Sequence, residues 1–149
     1  MSKISDTAGT PAGAGEGTYR KCRGLERMSQ HGRKNQERAI CRKLPSGAGI
    51  YILWFEGQRR AYIGQSNNIA YRVRTHLYDI ETFPNHKMRA DLDICGWEWL
   101  RAAVLESAET CDGLHARETY WMNQYRNGGW ELYNHDSVGK VHRDRARSR

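Results

Sequence analysis

The sequence lacks any apolar run close to the roughly 18 residues that a membrane-spanning helix needs. It also lacks the apolar block of a secretory signal, because the residues after Lys3 are mostly Ser, Thr, Gly and Ala. Both absences exclude the usual signatures of a membrane or secreted protein. We therefore expect a cytoplasmic protein with no membrane partner.

Cysteine is sparse, and its spacing is not that of a metal site. The four cysteines, Cys22, Cys41, Cys95 and Cys111, form no C-x-x-C pair. Structural zinc sites usually contain such tight pairs of Cys or His. A looser zinc site from Cys22, His31 and Cys41 stays open as an alternative. We expect reduced, partly buried thiols, as is usual for cytoplasmic proteins.

Large apolar residues are scarce at the start of the chain, and only 38% of the 149 residues are hydrophobic. Residues 1–18 are rich in Gly, Ala, Thr and Ser, a composition that predicts disorder. A short helix is predicted over Asn35–Leu44, and Pro45, Ser46 and Gly47 then break the chain. We divide the chain into a disordered N-terminus, a basic and partly helical extension, one globular domain and a basic tail: residues 1–18, 19–46, 47–135 and 136–149.

The formal charge of +7 is concentrated at the two ends of the chain. Residues 1–46 hold ten basic and four acidic groups, and residues 136–149 hold five and two, whereas residues 47–135 hold nine and eleven. Basic arms on a compact domain favour binding to a polyanion through phosphate contacts and counterion release, although solvated tails would look the same. The candidate nucleic-acid contacts are Arg20, Lys21, Arg23, Arg74, Lys140 and Arg143.

Three apolar segments have the character of strands. Gly49–Phe55 is continuously apolar with β-branched and aromatic residues, which predicts a strand buried on both faces. The polar loop after it, with Gly57, predicts a hairpin that returns over Ala61–Gly64. A third strand is predicted at Leu100–Leu105, and Trp130–Tyr133 has the pattern of a last short strand or extended segment.

Two helices complete the predicted domain. Asn67 is a candidate N-cap for a helix whose apolar stripe is Ile69, Val73 and Leu77. The second helix is predicted over Leu114–Tyr125 and ends at the following Asn and Gly residues. The order strand, strand, helix, strand, helix predicts an α+β fold with a small, mainly antiparallel sheet against which the helices pack.

Glu118 is a candidate metal ligand on sequence grounds alone. It follows Leu114 by four residues and precedes Trp121 by three, so it points to the apolar face of the second helix. A carboxylate is rarely buried without a partner. A divalent cation would supply one, since Mg²⁺ is often held by one or two carboxylates plus water and phosphate. The alternative is an ion pair with an Arg at the edge of the stripe.

Arg72 and His76 are four residues apart on the first helix and therefore share a face beside the core. An Arg offers a fixed fork of donors for phosphate oxygens, and a His can exchange a proton near neutral pH. Arg74 competes with Arg72 for this role, but it lies about 200° around the helix. Arg74 is therefore expected to face solvent or DNA.

The motifs together resemble one family. G-I-Y at Gly49–Tyr51 and Y-I-G at Tyr62–Gly64 are followed by N-x-x-x-x-R-x-x-x-H at Asn67–His76, then by Glu118 and Asn134. This combination resembles the GIY-YIG nuclease domain over about residues 47–135. The resemblance implies a three-stranded sheet flanked by helices and a metal-dependent enzyme that cuts phosphodiester bonds.

The resemblance also implies roles for six residues. Glu118 would hold a single Mg²⁺ or Mn²⁺ ion, because no second carboxylate is obvious at the site. Arg72 would be catalytic, with a His one turn further along. Water could be activated by Tyr51, by the metal or by His76. The candidate catalytic residues are Tyr51, Tyr62, Arg72, His76, Glu118 and Asn134.

Several functions fit this pattern. The first is an endonuclease acting on DNA, stand-alone since no zinc finger or helix-turn-helix is obvious, of phage, mobile-element, restriction or repair type. With one site per chain, cutting of both strands would favour a homodimer. The second is a non-catalytic nucleic-acid-binding module that kept the fold. The third is an unrelated basic α+β interaction protein.

Overall fold

The computed structural model describes residues 30–134, with the side chain of His31 left out. The predicted disordered N-terminus, residues 19–29 of the basic extension and the whole predicted tail lie outside these residues. The elements, in chain order, are α1 Gln30–Cys41, β1 Ala48–Phe55, β2 Arg60–Ser66, α2 Ile69–Thr82, α3 Arg89–Cys95, a 3₁₀ turn at Trp97–Trp99, β3 Leu100–Ala108, α4 Leu114–Asn127 and β4 Glu131–Leu132.

The four strands form one mixed sheet in the order β3-β1-β2-β4. β1 is central and pairs antiparallel with both β2 and β3, while β4 pairs parallel with β2. The α+β class and the mainly antiparallel sheet are confirmed. The number of three strands is wrong, because the segment after α4 adds a two-residue fourth strand at the β2 edge.

The two faces of β1 explain why its sequence is apolar without alternation. Tyr51, Leu53 and Phe55 pack into a cluster with α2 and α3, whereas Ile50 and Ile52 pack into a second cluster with α4. A strand with a helix layer on each face has no solvent side. The prediction of a strand buried on both faces is therefore confirmed.

Helix α2 begins one residue later than the sequence predicted. Asn68, not Asn67, is the N-cap, and its side-chain oxygen accepts a hydrogen bond from the Tyr71 backbone N–H at 3.1 Å. The Ser66 hydroxyl holds the preceding turn through the backbone N–H and carbonyl of Asn68. Both asparagines are good capping residues, so the choice between them depends on where this turn leaves β2.

Helix α1 begins at Gln30 and ends at Cys41, whereas the predicted helix covers Asn35–Leu44. Its polar side is tied to α2 by an ion pair between Arg33 and Glu81. No helix within residues 30–134 is long and apolar enough to cross a membrane.

A buried cluster of polar side chains, which the sequence did not predict, holds the last described residues against the domain. Asp91 of α3 is 2% exposed, accepts a hydrogen bond from the Tyr133 hydroxyl and lies 2.8 Å from the Arg60 guanidinium. The same guanidinium lies over the Tyr133 ring, 4.7 Å from its centroid. A buried carboxylate needs such partners, and this one fixes the chain beside β2 immediately before Asn134.

Candidate active site

The two glycine-containing motifs meet across the hairpin. Tyr51 and Gly64 are cross-strand partners in the β1–β2 ladder. A Cβ atom added at Gly64 would lie 2.5 Å from both Cζ and the hydroxyl oxygen of Tyr51. The glycine of Y-I-G therefore leaves the space in which the tyrosine of G-I-Y places its phenol.

Gly49 lets the backbone of β1 lie very close to the backbone of β3. A Cβ atom there would lie 2.1 Å from the Glu106 carbonyl oxygen on β3. The register between β1 and β3 shifts between Ile50 and Tyr51, as in a β-bulge, which re-aims the side chains beside it. The glycine of G-I-Y thus allows the bulge that precedes Tyr51.

Three rings form a cluster on the side of the sheet that α2 covers. The Tyr51 and Tyr62 rings stack with centroids 6.3 Å apart, and the His76 ring meets Tyr62 edge-on at 4.2 Å. Nδ1 of His76 lies 3.4 Å from the Tyr51 hydroxyl oxygen. His76 is 3% exposed, and burial, with the charges of His86 and Arg72, lowers its pKa to about 3. The ring is therefore neutral at pH 7.

Arg72 reaches the two phenols from the same face of α2. Burial raises the pKa of Tyr51 and that of Tyr62 above their ordinary values, while the charge and hydrogen bonding of Arg72 lower both. Arg72 thus acts on Tyr51 in the direction that a base requires. Burial outweighs it, so both phenols are protonated at pH 7 in this state of the protein.

Glu118 enters the site from α4, which packs on the opposite face of the sheet. The side chain is 6% exposed. Within residues 30–134 no hydrogen bond or ion pair reaches its carboxylate, and burial alone raises its pKa to about 7. Its charge raises the pKa of both Tyr51 and Tyr62, so the carboxylate is electrostatically coupled to both phenols. No Arg within residues 30–134 is the alternative partner: Arg117 forms its ion pair with Glu106 instead.

The side chains around Glu118 do not form a complete metal site. No group of three or more His, Cys, Asp or Glu side chains that could hold an ion occurs in the described part of the chain. A complete protein cage, as zinc prefers, is therefore not formed by these residues. The sequence left open a zinc site that would include Cys22 and Cys41. Cys41 is a buried free thiol, while Cys22 lies outside the described residues. A buried carboxylate such as Glu118, with no partner in the part of the chain that the structure describes, does fit Mg²⁺ or Mn²⁺ that completes its shell with water and phosphate.

Asn134 takes part in the sheet through its side chain. Its Oδ1 accepts from the Ile63 backbone N–H at 3.0 Å, and its Nδ2 donates to the Ile63 carbonyl at 2.7 Å. The backbone N–H of Tyr133 bonds to the Ala61 carbonyl one step earlier. The Asn134 amide therefore continues the parallel β4 ladder along β2, and it holds the backbone between Tyr62 and Gly64.

The remaining predicted residues are placed only in part. Arg74 is exposed, and its guanidinium hydrogen-bonds to the Cys41 thiol of α1, although burial raises the pKa of that thiol. The other candidate nucleic-acid contacts lie outside the described residues: Arg20, Lys21, Arg23, Lys140 and Arg143.

Sequence reasoning missed His86. Its Nε2 atom lies 3.1 Å from Nε2 of His76. His86 follows Pro84 in the loop between α2 and α3, where neither helical nor strand periodicity applies. The one available signal is the residue type, a second His close in sequence to His76.

Comparison with known proteins supplies the family. No curated protein and no solved structure matches the chain. The family profile of the GIY-YIG catalytic domain matches residues 47–134, which is more than half of the chain. That span begins just before β1 and ends at Asn134, and it contains all six residues that the sequence motifs selected. The chain therefore belongs to the GIY-YIG family, and residues 47–134 form its nuclease-type catalytic domain.

Proposed function

We propose that the protein is a divalent-metal-dependent endonuclease that hydrolyses phosphodiester bonds of DNA. One observation carries the metal dependence: Glu118 is buried, and none of residues 30–134 pairs with its carboxylate. Desolvating an unpaired carboxylate is unfavourable, and a bound cation removes that penalty. Arg72 and the two phenols beside it give the site the groups that phosphoryl chemistry uses.

Glu118 would hold one Mg²⁺ or Mn²⁺ ion, with water and phosphate oxygens as the other ligands. When bound, such an ion supplies positive charge that neutralises the phosphate and the leaving oxygen. Because Glu118 is the one carboxylate of the candidate site without a protein partner among the described residues, we propose a single ion per active site.

Arg72 binds the scissile phosphate in this proposal. Its guanidinium presents a planar fork of donors that matches two phosphate oxygens. The side chain is exposed at the surface of α2 while its charge reaches Tyr51 and Tyr62. A phosphate seated there would lie against both phenols.

Tyr51 is the candidate for orienting the attacking water and accepting its proton. Its hydroxyl must lose a proton to act as a base, and burial opposes this loss. Hydrogen bonds from Arg72 favour the phenolate, and a cation at Glu118 would do the same. Tyr62, which stacks on Tyr51, shares the Arg72 contact and shapes the pocket around the phosphate.

DNA is the proposed substrate because the excess positive charge lies in residues 1–46 and 136–149, flanking a slightly acidic domain. Phosphate contacts by these arms would supply affinity without sequence preference. Arg20, Lys21, Arg23, Lys140 and Arg143 are the proposed contacts there, with Arg74 on α2. Cutting both strands at one position would favour a homodimer, which brings two active sites together.

The test of this function is a cleavage assay on supercoiled plasmid, single-stranded DNA and RNA, in Mg²⁺ and in EDTA. We expect cutting of DNA in Mg²⁺ and none in EDTA. The products from plasmid separate nicking from double-strand cutting. Binding of DNA without cleavage in Mg²⁺ or Mn²⁺ would instead indicate a binding module that kept the fold.

Replacing Gly64 by alanine tests the coupling between the two motifs. The added methyl group would overlap the Tyr51 phenol at 2.5 Å, so the hydroxyl must move from its position. Misplacing a reacting group by about 1 Å can lower a rate about 10²-fold, and overpacking lowers the free energy of unfolding by about 1–3 kcal/mol. We expect kcat to fall by about 10²-fold in a folded protein.

Gly47→Ala is the matched control, because a Cβ atom at Gly47 meets nothing within 4 Å. Its cleavage rate and unfolding temperature should equal those of the native chain. A native rate in Gly64→Ala would show that the position of the Tyr51 hydroxyl does not limit the reaction.

A further inference from the structure

A line of hydrogen-bonding groups runs from the α2–α3 loop into the candidate active site. It begins at the Met88 backbone N–H, passes through the rings of His86 and His76, and ends at the Tyr51 hydroxyl oxygen. The three separations along it are 3.1 Å, 3.1 Å and 3.4 Å. At one end of this line the donor and the acceptor of the hydrogen bond are known. That hydrogen bond determines which nitrogen carries the proton in each of the two rings.

The fixed end is the Met88 backbone, since an N–H group can only donate. It donates to Nδ1 of His86, so that nitrogen carries a lone pair and no proton. A neutral imidazole carries its one proton on the other nitrogen. The proton of His86 is therefore on Nε2.

The proton position in His86 then determines the proton position in His76. Nε2 of His86 faces Nε2 of His76, and one of two such atoms must donate while the other accepts. Because His86 donates, Nε2 of His76 accepts, and the proton of His76 is on Nδ1. That atom faces the Tyr51 hydroxyl oxygen.

Both rings are in surroundings that keep them neutral, as this chain of donors requires. His76 is 3% exposed and His86 is half-buried. Burial lowers the pKa of both rings, with His86 and Arg72 also lowering that of His76, whereas Asp79 opposes the shift at His86.

We propose that His86 is a positioning residue that fixes the tautomer of His76. In that tautomer the Nδ1–H group of His76 donates a hydrogen bond to the Tyr51 hydroxyl oxygen. His76 then has no free lone pair with which to take a proton from water, because its Nε2 lone pair is occupied by His86. The Tyr51 oxygen receives donors from both His76 and Arg72, and two donors favour the phenolate over the phenol. The consequence for catalysis rests on the proposed nuclease function, whereas the tautomer does not.

The direct test is the tautomer of His76 in the full-length native chain, read from the long-range ¹H–¹⁵N NMR pattern of its imidazole ring near pH 7.5. We expect His76 to carry its proton on Nδ1 and His86 to carry it on Nε2. In His86→Leu, which removes the donor, we expect the His76 pattern to shift toward the Nε2-protonated form. A native His76 with its proton on Nε2 would overturn the proposal, whether or not the protein cuts DNA.

The rates give a second readout. We expect His86→Leu to lower kcat by about tenfold to a hundredfold, as when a tautomer-fixing partner is lost, with little change in KM. His86→Gln keeps an N–H donor near the Nε2 position and should stay close to the native kcat. His115→Leu, at an exposed His of α4, is the control. Equal losses in His86→Leu and His86→Gln would assign His86 a purely structural role and overturn the proposal.

Discussion

Replacing Glu118 by glutamine is expected to lower the rate of Mg²⁺-dependent DNA cleavage by about 10³-fold or more, which corresponds to several kcal/mol of transition-state stabilisation. The amide keeps the size of the side chain but removes the negative charge that holds the cation. The rate is measured under single-turnover conditions, in saturating Mg²⁺, on the DNA that the native protein cuts.

The same substitution should not weaken the fold. Glu118 has a pKa of about 7 in the folded protein, above that of an exposed Glu, so its ionisation opposes folding once the pH exceeds the unfolded value. This penalty grows as the pH rises from the pKa of the unfolded chain to about 7, stays at its full size above that, and disappears at low pH. In EDTA at pH 8, Glu118→Gln should therefore unfold at the same temperature as the native chain or a higher one. Lost activity together with a lowered unfolding temperature would indicate a structural defect instead.

Glu109→Gln is the matched control for charge. Glu109 is an exposed carboxylate in the loop between β3 and α4, so its replacement changes the net charge by the same amount outside the site. We expect a rate within twofold or so of the native one. A similar loss in both variants would show that net charge, not the position of Glu118, controls cleavage.

Replacing Arg72 by alanine is expected to lower kcat by about 10²–10³-fold, the usual effect of removing one donor that stabilises transition-state charge. The phenols would also lose the charge that lowers their pKa, so Tyr51 would become a weaker candidate base. Arg72→Lys should recover part of the rate, because it restores the charge but not the fork of donors.

Arg74→Ala is the control for Arg72, since it removes an Arg two residues away on the same helix. Arg74 is exposed and bonds to Cys41 instead of the phenols. We expect Arg74→Ala to weaken DNA binding, more at low salt than at high salt, and to leave kcat nearly unchanged. If Arg74→Ala abolished cleavage and Arg72→Ala did not, the two roles would have to be exchanged.

The parts of the fold that the sequence predicted best are those with strong local patterns. The apolar run of β1 and the apolar stripe of α2 each follow from burial on defined faces. β4 could not be firmly predicted because it has two residues, and its pairing depends on Asp91, Tyr133 and the Asn134 amide. Helix α3 was missed because it has seven residues and its key side chain, Asp91, is a buried carboxylate.

In the candidate site, too, features with a local sequence pattern were predicted and features that depend on tertiary contacts were not. The sequence selected Tyr51, Tyr62, Arg72, His76 and Glu118 from their order and spacing. The structure brings the first four into contact, and the charge of Glu118 acts on both phenols. The contact of His86 with His76 is a tertiary contact through an irregular loop, which no periodicity encodes. The balance of burial and charge at Tyr51 also depends on the assembled site. The sequence therefore predicted the residue types but not the protonation of the phenol.

The most direct test of the account is cleavage of one supercoiled plasmid by four proteins prepared identically: the native chain, Glu118→Gln, Arg72→Ala and Glu109→Gln. Each is incubated in Mg²⁺ and in EDTA. We expect the native chain and Glu109→Gln to cut in Mg²⁺ but not in EDTA, and the other two variants to be at least about 10²-fold slower. Native-like, metal-independent cutting by Glu118→Gln would contradict the assignment of this carboxylate and of the metal-dependent site built around it.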